Sequence, residues 1–144
     1  TFLGIVKVVS PGVIQDEMKE NTESEKVAMD VVMKFENKND RTPTDVSKII
    51  GPGYDIKSID KDGNTRYIEV KGRNAVGAVA LSKNEWFKAK HLAEDYYLYV
   101  VWNTKDHPGA ELTPLIIRDP AHNLNPKLNI HYLVDASEIK EKAV

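Results

Sequence analysis

Residues 53–72 read Gly-Tyr-Asp-Ile-Lys-Ser-Ile-Asp-Lys-Asp-Gly-Asn-Thr-Arg-Tyr-Ile-Glu-Val-Lys-Gly, and the fold turns on how this stretch is read. Two short runs, 54–59 and 65–71, flank the turn-forming Asp60-Lys61-Asp62-Gly63-Asn64, which is the pattern of a β-hairpin. Strand residues two apart share a face, so Glu69 and Lys71 lie on one side and Ile68 and Val70 on the other. Opposite charges in the middle of an apolar strand are expensive unless something uses them. Asp55, on the partner strand, adds a third charge. The set Asp55, Glu69 and Lys71 has the composition of a divalent-cation site with an amine beside it.

Working outward from the hairpin, residues 37–52 read as a connector with one helical turn at 45–50. Gly51-Pro52-Gly53 implies backbone lying close to a neighbouring element or a ligand. Earlier still, Val27, Ala28, Val31, Val32 and Phe35 follow a helical period from Thr22 to about residue 37. Thr22 or Ser24 serves as N-cap, and Glu25 stands three residues after Thr22 in the capping-box position. Glu25 is thus either a first-turn carboxylate favoured by the helix dipole or an acid reaching toward the hairpin. Residues 1–10 read as a strand ended by Pro11-Gly12, paired either with this sheet or with a preceding domain.

On the other side of the hairpin, 73–77 is a loop and 78–81 a third short strand. Ser82 and Glu85 form a capping box for a helix to about residue 94, with Trp86, Ala89, Leu92 and Ala93 on its inner face. In the strand expected at 95–102, residues 96–102 are apolar without interruption, the mark of a central strand buried on both faces. Further strands are expected at 112–117 and 130–134, then a short charged helix from Ala136. The fold class is α/β in the α+β sense: a central mixed sheet containing an antiparallel meander, flanked by helices. Residues 1–21 are expected to be a linker or strand preceding a domain of residues 22–144.

The chain has 144 residues, enough for one domain that buries roughly two-thirds of its unfolded surface. With 29% charged and 41% hydrophobic residues it has the profile of a soluble globular protein. The absence of cysteine excludes disulfides, thiolate metal sites and a cysteine nucleophile, and fits a cytoplasmic location. The longest apolar run is too short to span a bilayer, so no membrane partner is expected. His91, His107, His122 and His131 are scattered without zinc-ligand spacing, and neither a serine-hydrolase elbow nor a phosphate-cradling glycine loop is present.

Mg2+ or Mn2+ suits the hairpin residues. Magnesium takes oxygen ligands and is usually held by one or two carboxylates, water and substrate phosphate. Asp55, Glu69 and the Val70 carbonyl make such a platform, with Glu25 as a second-ion or water ligand. Lys71 then reaches the attacking water or the scissile phosphate. The competing reading makes Glu69 and Lys71 a solvated cross-strand ion pair. The net charge of -2 gives no global reason for a polyanion partner, but seven basic and three acidic residues fall between Lys61 and His91. Arg73, Lys83 and Lys88 are the candidate nucleic-acid contacts of that stretch.

The runs ESEKVAMDVVMKFENKNDRTPTDVS, GYDIKS, RYIEVKG, VALSKNEWFKA and YYLYVV together resemble the C-terminal domain family of the NO VEIN protein, over about residues 23–120. That resemblance implies the restriction-endonuclease-like core of the PD-(D/E)XK superfamily: a helix, a three-stranded antiparallel meander, a second helix and a further strand. It implies a Mg2+-dependent nuclease acting on DNA, with Glu25 as the helix acid, Asp55 as the lone acid and Glu69 with Lys71 as the paired motif. No proline precedes Asp55, where Gly53-Tyr54 stand instead. Domains of this family often end large DEAD/DEAH-box or Swi2/Snf2-type helicases near restriction or phage-defence genes. The chain is therefore expected to be a C-terminal fragment of such a protein, with the helicase domain as its partner. A non-cleaving DNA-binding or helicase-regulatory module is the alternative, and self-association as a homodimer stays open.

Overall fold

The computed structural model describes the backbone of residues 5–6, 11–128, 131–132 and 135–143, and the side chains of 22–128 and 135–143. In chain order the elements are β1 (Ile5–Val6), α1 (Pro11–Lys38), β2 (Arg41–Asp45), β3 (Ile56–Asp60), β4 (Thr65–Gly72), α2 (Lys83–Leu92), β5 (Tyr96–Val101), β6 (Leu115–Arg118), α3 (Pro120–Asn123), β7 (His131–Tyr132) and α4 (Ala136–Lys142). They fall into two compact units, Thr1–Met18 with Pro126–Val144, and Lys19–Asn125. In the first unit β1 pairs in parallel with β7. The other residues of the strands expected at 1–10 and 130–134 lie outside the described residues.

The second unit is built on a five-stranded mixed sheet in the order β2-β3-β4-β5-β6. β2, β3 and β4 form an antiparallel meander, β4 and β5 are parallel, and β6 returns antiparallel to β5. Ala28, Val31 and Val32 of α1 pack with Ile56, Ile68, Val70, Tyr97, Tyr99 and Val101 on one face. Alternation along the strands sends Glu69, Lys71, Tyr96 and Leu98 to the other face. There α2 lies against β5, with Ala89 fully buried. This α+β arrangement, helix, antiparallel meander, helix and strand, is compatible with the restriction-endonuclease-like core.

β5 is buried along its whole length, as its unbroken apolar run requires. The hairpin turn is set by Asp60, whose Oδ1 accepts the backbone N–H of Asp62 and of Asn64, each at 2.9 Å. The Asn64 side chain, donating to Asp60 Oδ2 at 3.0 Å, does most to depress the Asp60 pKa, and the same two backbone bonds add to it.

Four expectations are corrected. α1 begins at Pro11, not Thr22. Proline is well placed at a first helical position, and Gln15 to Asn21 contains no breaker. Thr22, Ser24 and Glu25 are therefore mid-helix rather than capping residues, and the Ser24 hydroxyl is buried in a 2.6 Å bond with Thr104 Oγ1. Second, residues 41–45 form β2 instead of loop. Pro43, which suggested a turn, is tolerated because β2 is an edge strand. Third, residues 78–81 are not a strand. The Arg73 guanidinium caps the Ala78 carbonyl there, and Trp102 Nε1 donates to the Gly77 carbonyl at 3.0 Å, so side chains replace a ladder. The third strand of the meander thus precedes the hairpin. Fourth, α2 stops at Leu92, and Ala93 is exposed with φ 47° rather than on the inner face.

Candidate active site

The site forms where β4 outruns β3. Their register ends at Ile56 opposite Ile68. Beyond it, Asp55 N–H donates to the Ile68 carbonyl at 2.8 Å, and Val70 N–H donates to Asp55 Oδ2 at 2.9 Å. The Asp55 side chain thus continues the ladder that its backbone has left. The amide and carbonyl of one strand residue share an edge, so the Val70 carbonyl opens on the Asp55 side.

Glu69, one residue before, is 3% exposed. Its Oε1 lies 3.0 Å from Lys71 Nζ, and the same ammonium donates to Glu85 Oε2 at 2.9 Å. Glu85 comes from the first turn of α2, where it completes the capping box by accepting the Ser82 N–H at 2.8 Å. Sequence spacing identified the cap but not the second role of Glu85 beside Lys71. Nothing in the local pattern distinguishes a capping glutamate that also faces a charged strand.

Two carboxylates therefore share one ammonium, with the charge of Asp55 nearby. Burial pushes Glu69 up to about 9, the negative charges of Asp55 and Glu85 add to this, and Lys71 only partly offsets it. Asp55 is also raised, by burial first and then by Glu85 and Glu25, against the stabilising Val70 amide and Lys71. Burial works against the charged Lys71, but Glu69 and Glu85 outweigh it and hold its pKa above the usual lysine value. Glu85 is held below its ordinary value: burial opposes this, and the bonds from Lys71 and Ser82 prevail. Lys71 is thus held as the ammonium by its two glutamates.

Glu25 is exposed on α1 and lines the same cavity of about 530 Å³ as Asp55, Glu69, Lys71 and Glu85. With Asp30 and Asp45 the wall carries six carboxylates, against the three ammonium groups of Lys26, Lys48 and Lys71. The cavity is acidic, although the surrounding sequence is basic. Among the described residues no three His, Asp or Glu side chains close into a preformed metal cage. Such a cage is what zinc requires, whereas magnesium is commonly held by one or two carboxylates and completed by water and substrate. The crowded Asp55 and Glu69, short of positive charge, fit a hard divalent cation.

The two flanking glycines serve packing. A Cβ on Gly72 would stand 2.4 Å from the Ser24 carbonyl oxygen and 2.8 Å from Ala28 Cβ, so Gly72 admits the backbone of α1 and not a ligand. Gly53 has φ +76° and lies against the Lys88 stem, while its carbonyl accepts from Tyr96 Oη at 2.8 Å. Of the candidate nucleic-acid contacts, Lys88 is thus half-buried, Lys83 is exposed at the start of α2, and Arg73 folds back on its own loop.

No curated protein and no solved structure matches the chain. A family model does, the one described as Protein NO VEIN, C-terminal, over residues 24–115, which include Glu25, Asp55, Glu69, Lys71 and Glu85. The chain belongs to the NO VEIN C-terminal domain family.

Proposed function

We propose that this domain is a divalent-cation-dependent phosphodiesterase acting on DNA, with Mg2+ or Mn2+ as its cofactor. The observation that carries the reading is the convergence of Asp55, Glu69, the Val70 backbone and the paired Lys71 ammonium on one acidic cavity. Asp55, Glu69 and the Val70 carbonyl would hold the cation, with Glu25 across the cavity to receive a bound water or a second ion. When bound, the cation supplies Lewis acidity toward the phosphate and lowers the pKa of a water. Lys71 orients that water or the phosphate by hydrogen bonding and offsets the charge that develops on the phosphoryl oxygens. Glu85 keeps the ammonium in place from its capped helix. Delivery to DNA by a helicase region of the same polypeptide belongs to this reading, as does the surface of Lys83 and Lys88 as backbone contacts.

A non-cleaving binding module is favoured by one feature: Asp55, Glu69, Lys71 and Glu85 each already have a partner inside the protein, with Lys71 clamped between Glu69 and Glu85. The two readings part in a cleavage assay on duplex DNA with Mg2+ or Mn2+. The wild-type chain is expected to cut, and Asp55→Asn and Lys71→Ala each to lose at least about 100-fold in rate, the order of a lost transition-state charge contact. Cutting at the level of these variants would sink the phosphodiesterase reading.

A further inference from the structure

We infer that the loop of residues 46–53 is a nucleic-acid wedge, with Ile50 packing against bases next to the carboxylate site. The loop leaves β2 and returns at Asp55, so it is joined to the site at its root. Val46 N–H donates to the Asp55 carbonyl at 2.8 Å, Ser47 N–H and Oγ donate to Asp45 Oδ1 at 2.9 and 2.7 Å, and the Gly53 carbonyl is held by Tyr96. The root is fixed from both sides. Its tip is the opposite: Ile50 is fully exposed, Ile49 is 61% exposed, and a Cβ on Gly51 would meet no atom within 4 Å.

Ile49 also lines one small cavity together with Asp55, Glu69 and Glu85, and Lys48 lines the larger one beside it. A phosphate offered to these carboxylates from the small cavity meets Ile49 on its wall, one residue from the exposed Ile50. Phosphates alone would be met by lysine or arginine, whereas two adjacent aliphatic side chains match the apolar faces of bases, the contact by which apolar wedges unstack a base step. The surrounding cavity is acidic and repels a polyanion until a cation arrives, so a contact that does not depend on charge suits this position. The inference rests on the phosphodiesterase reading for the identity of the polymer.

The test titrates the full chain into DNA duplexes carrying 2-aminopurine at successive positions, in calcium, a hard cation able to bridge carboxylate and phosphate. Wild type is expected to raise the emission at one position. Ile50→Ala is expected to abolish that rise and to weaken binding roughly tenfold, the order for burying one aliphatic side chain, with the salt dependence unchanged. Lys48→Ala should instead flatten the slope of log K against log salt by about 0.9. Ile50→Ala binding as tightly as wild type, emission that is flat at every position, or an effect of Ile50→Ala confined to self-association in sedimentation would each overturn the wedge. The two readings fail separately. A wild type that cuts DNA while Ile50→Ala binds unchanged removes only the wedge. An Ile50-dependent signal with calcium binding indifferent to Asp55→Asn removes only the catalytic site.

Discussion

Glu36 and Glu69 are both buried glutamates, fully covered and 3% exposed, and the fold moves their acidities in opposite directions. Glu36, near the end of α1, takes two bonds from the Arg41 guanidinium, one from Ser58 Oγ at 2.8 Å and one from Tyr99 Oη at 2.6 Å. Tyr99 in turn accepts from Arg66 at 2.8 Å. Burial opposes the Glu36 charge, but the Arg41, Tyr99 and Ser58 bonds prevail and hold its pKa below the ordinary value. Glu69 has one ammonium, shared with Glu85 and close to Asp55, and is pushed up to about 9. The fold is able to satisfy a buried carboxylate completely and does so at Glu36. At Glu69 it leaves a deficit of positive charge in an open cavity, which is the arrangement a cation from solution would complete.

The comparison is broken most severely at Glu36. Glu36→Ala leaves the Arg41 charge and Tyr99 hydroxyl without their partner, and is expected to cost about 3–5 kcal/mol in chemical denaturation. A lowered pKa gives stability that is present above the ordinary carboxylate value and lost as pH falls through the folded one, so Glu36 contributes to acid unfolding below about pH 4.5. Gly72→Ala comes next. It drives a methyl into the Ser24 carbonyl and is expected to cost about 1–3 kcal/mol as an overpacking substitution, with α1 shifting away from β4 and Glu25 shifting with it.

Glu69→Gln acts with the opposite sign. Between about pH 4.5 and 9 the folded chain keeps a proton on Glu69 that the unfolded chain has released. Cation-free stability therefore falls as pH rises through that window, by at most about 1.4 kcal/mol per pH unit for one group. Glu69→Gln should flatten this slope and make the cation-free chain more stable than wild type at the alkaline end. A thermal melting series across pH reads both, and a slope unaltered by Glu69→Gln would mean that Glu69 is not the strained carboxylate.

The Glu69 side of the comparison was legible in the sequence, and the Glu36 side was not. Asp55, Glu69 and Lys71 stand out because their charges interrupt a strand pattern, and the Ser82–Glu85 box and the apolar β5 follow local rules with short range. Glu36 sits on a helix that reads as amphipathic, and its four donors come from β2, β3 and β5, elements whose adjacency only the sheet order creates. β2 itself was hidden by Pro43, since a proline signals a turn wherever the edge position of a strand is unknown. The early start of α1 was hidden by Ser24 and Glu25, good capping types that here lie mid-helix, one buried against Thr104 and the other on the cavity wall. Local chemistry marked the residues proposed for the site. Long-range pairing decided which neighbours, Glu85 above all, share their charge.

The most direct measurement is a calorimetric titration of Mg2+ into the full chain at mildly alkaline pH, for wild type, Glu69→Gln and Asp55→Asn, with a non-hydrolysable duplex present to complete the coordination. Saturable binding in wild type, accompanied by proton release from Glu69 and lost in both variants, is the predicted result. Binding of equal strength in all three proteins, or no binding in the wild type, would contradict the assignment of Asp55 and Glu69 as a cation site.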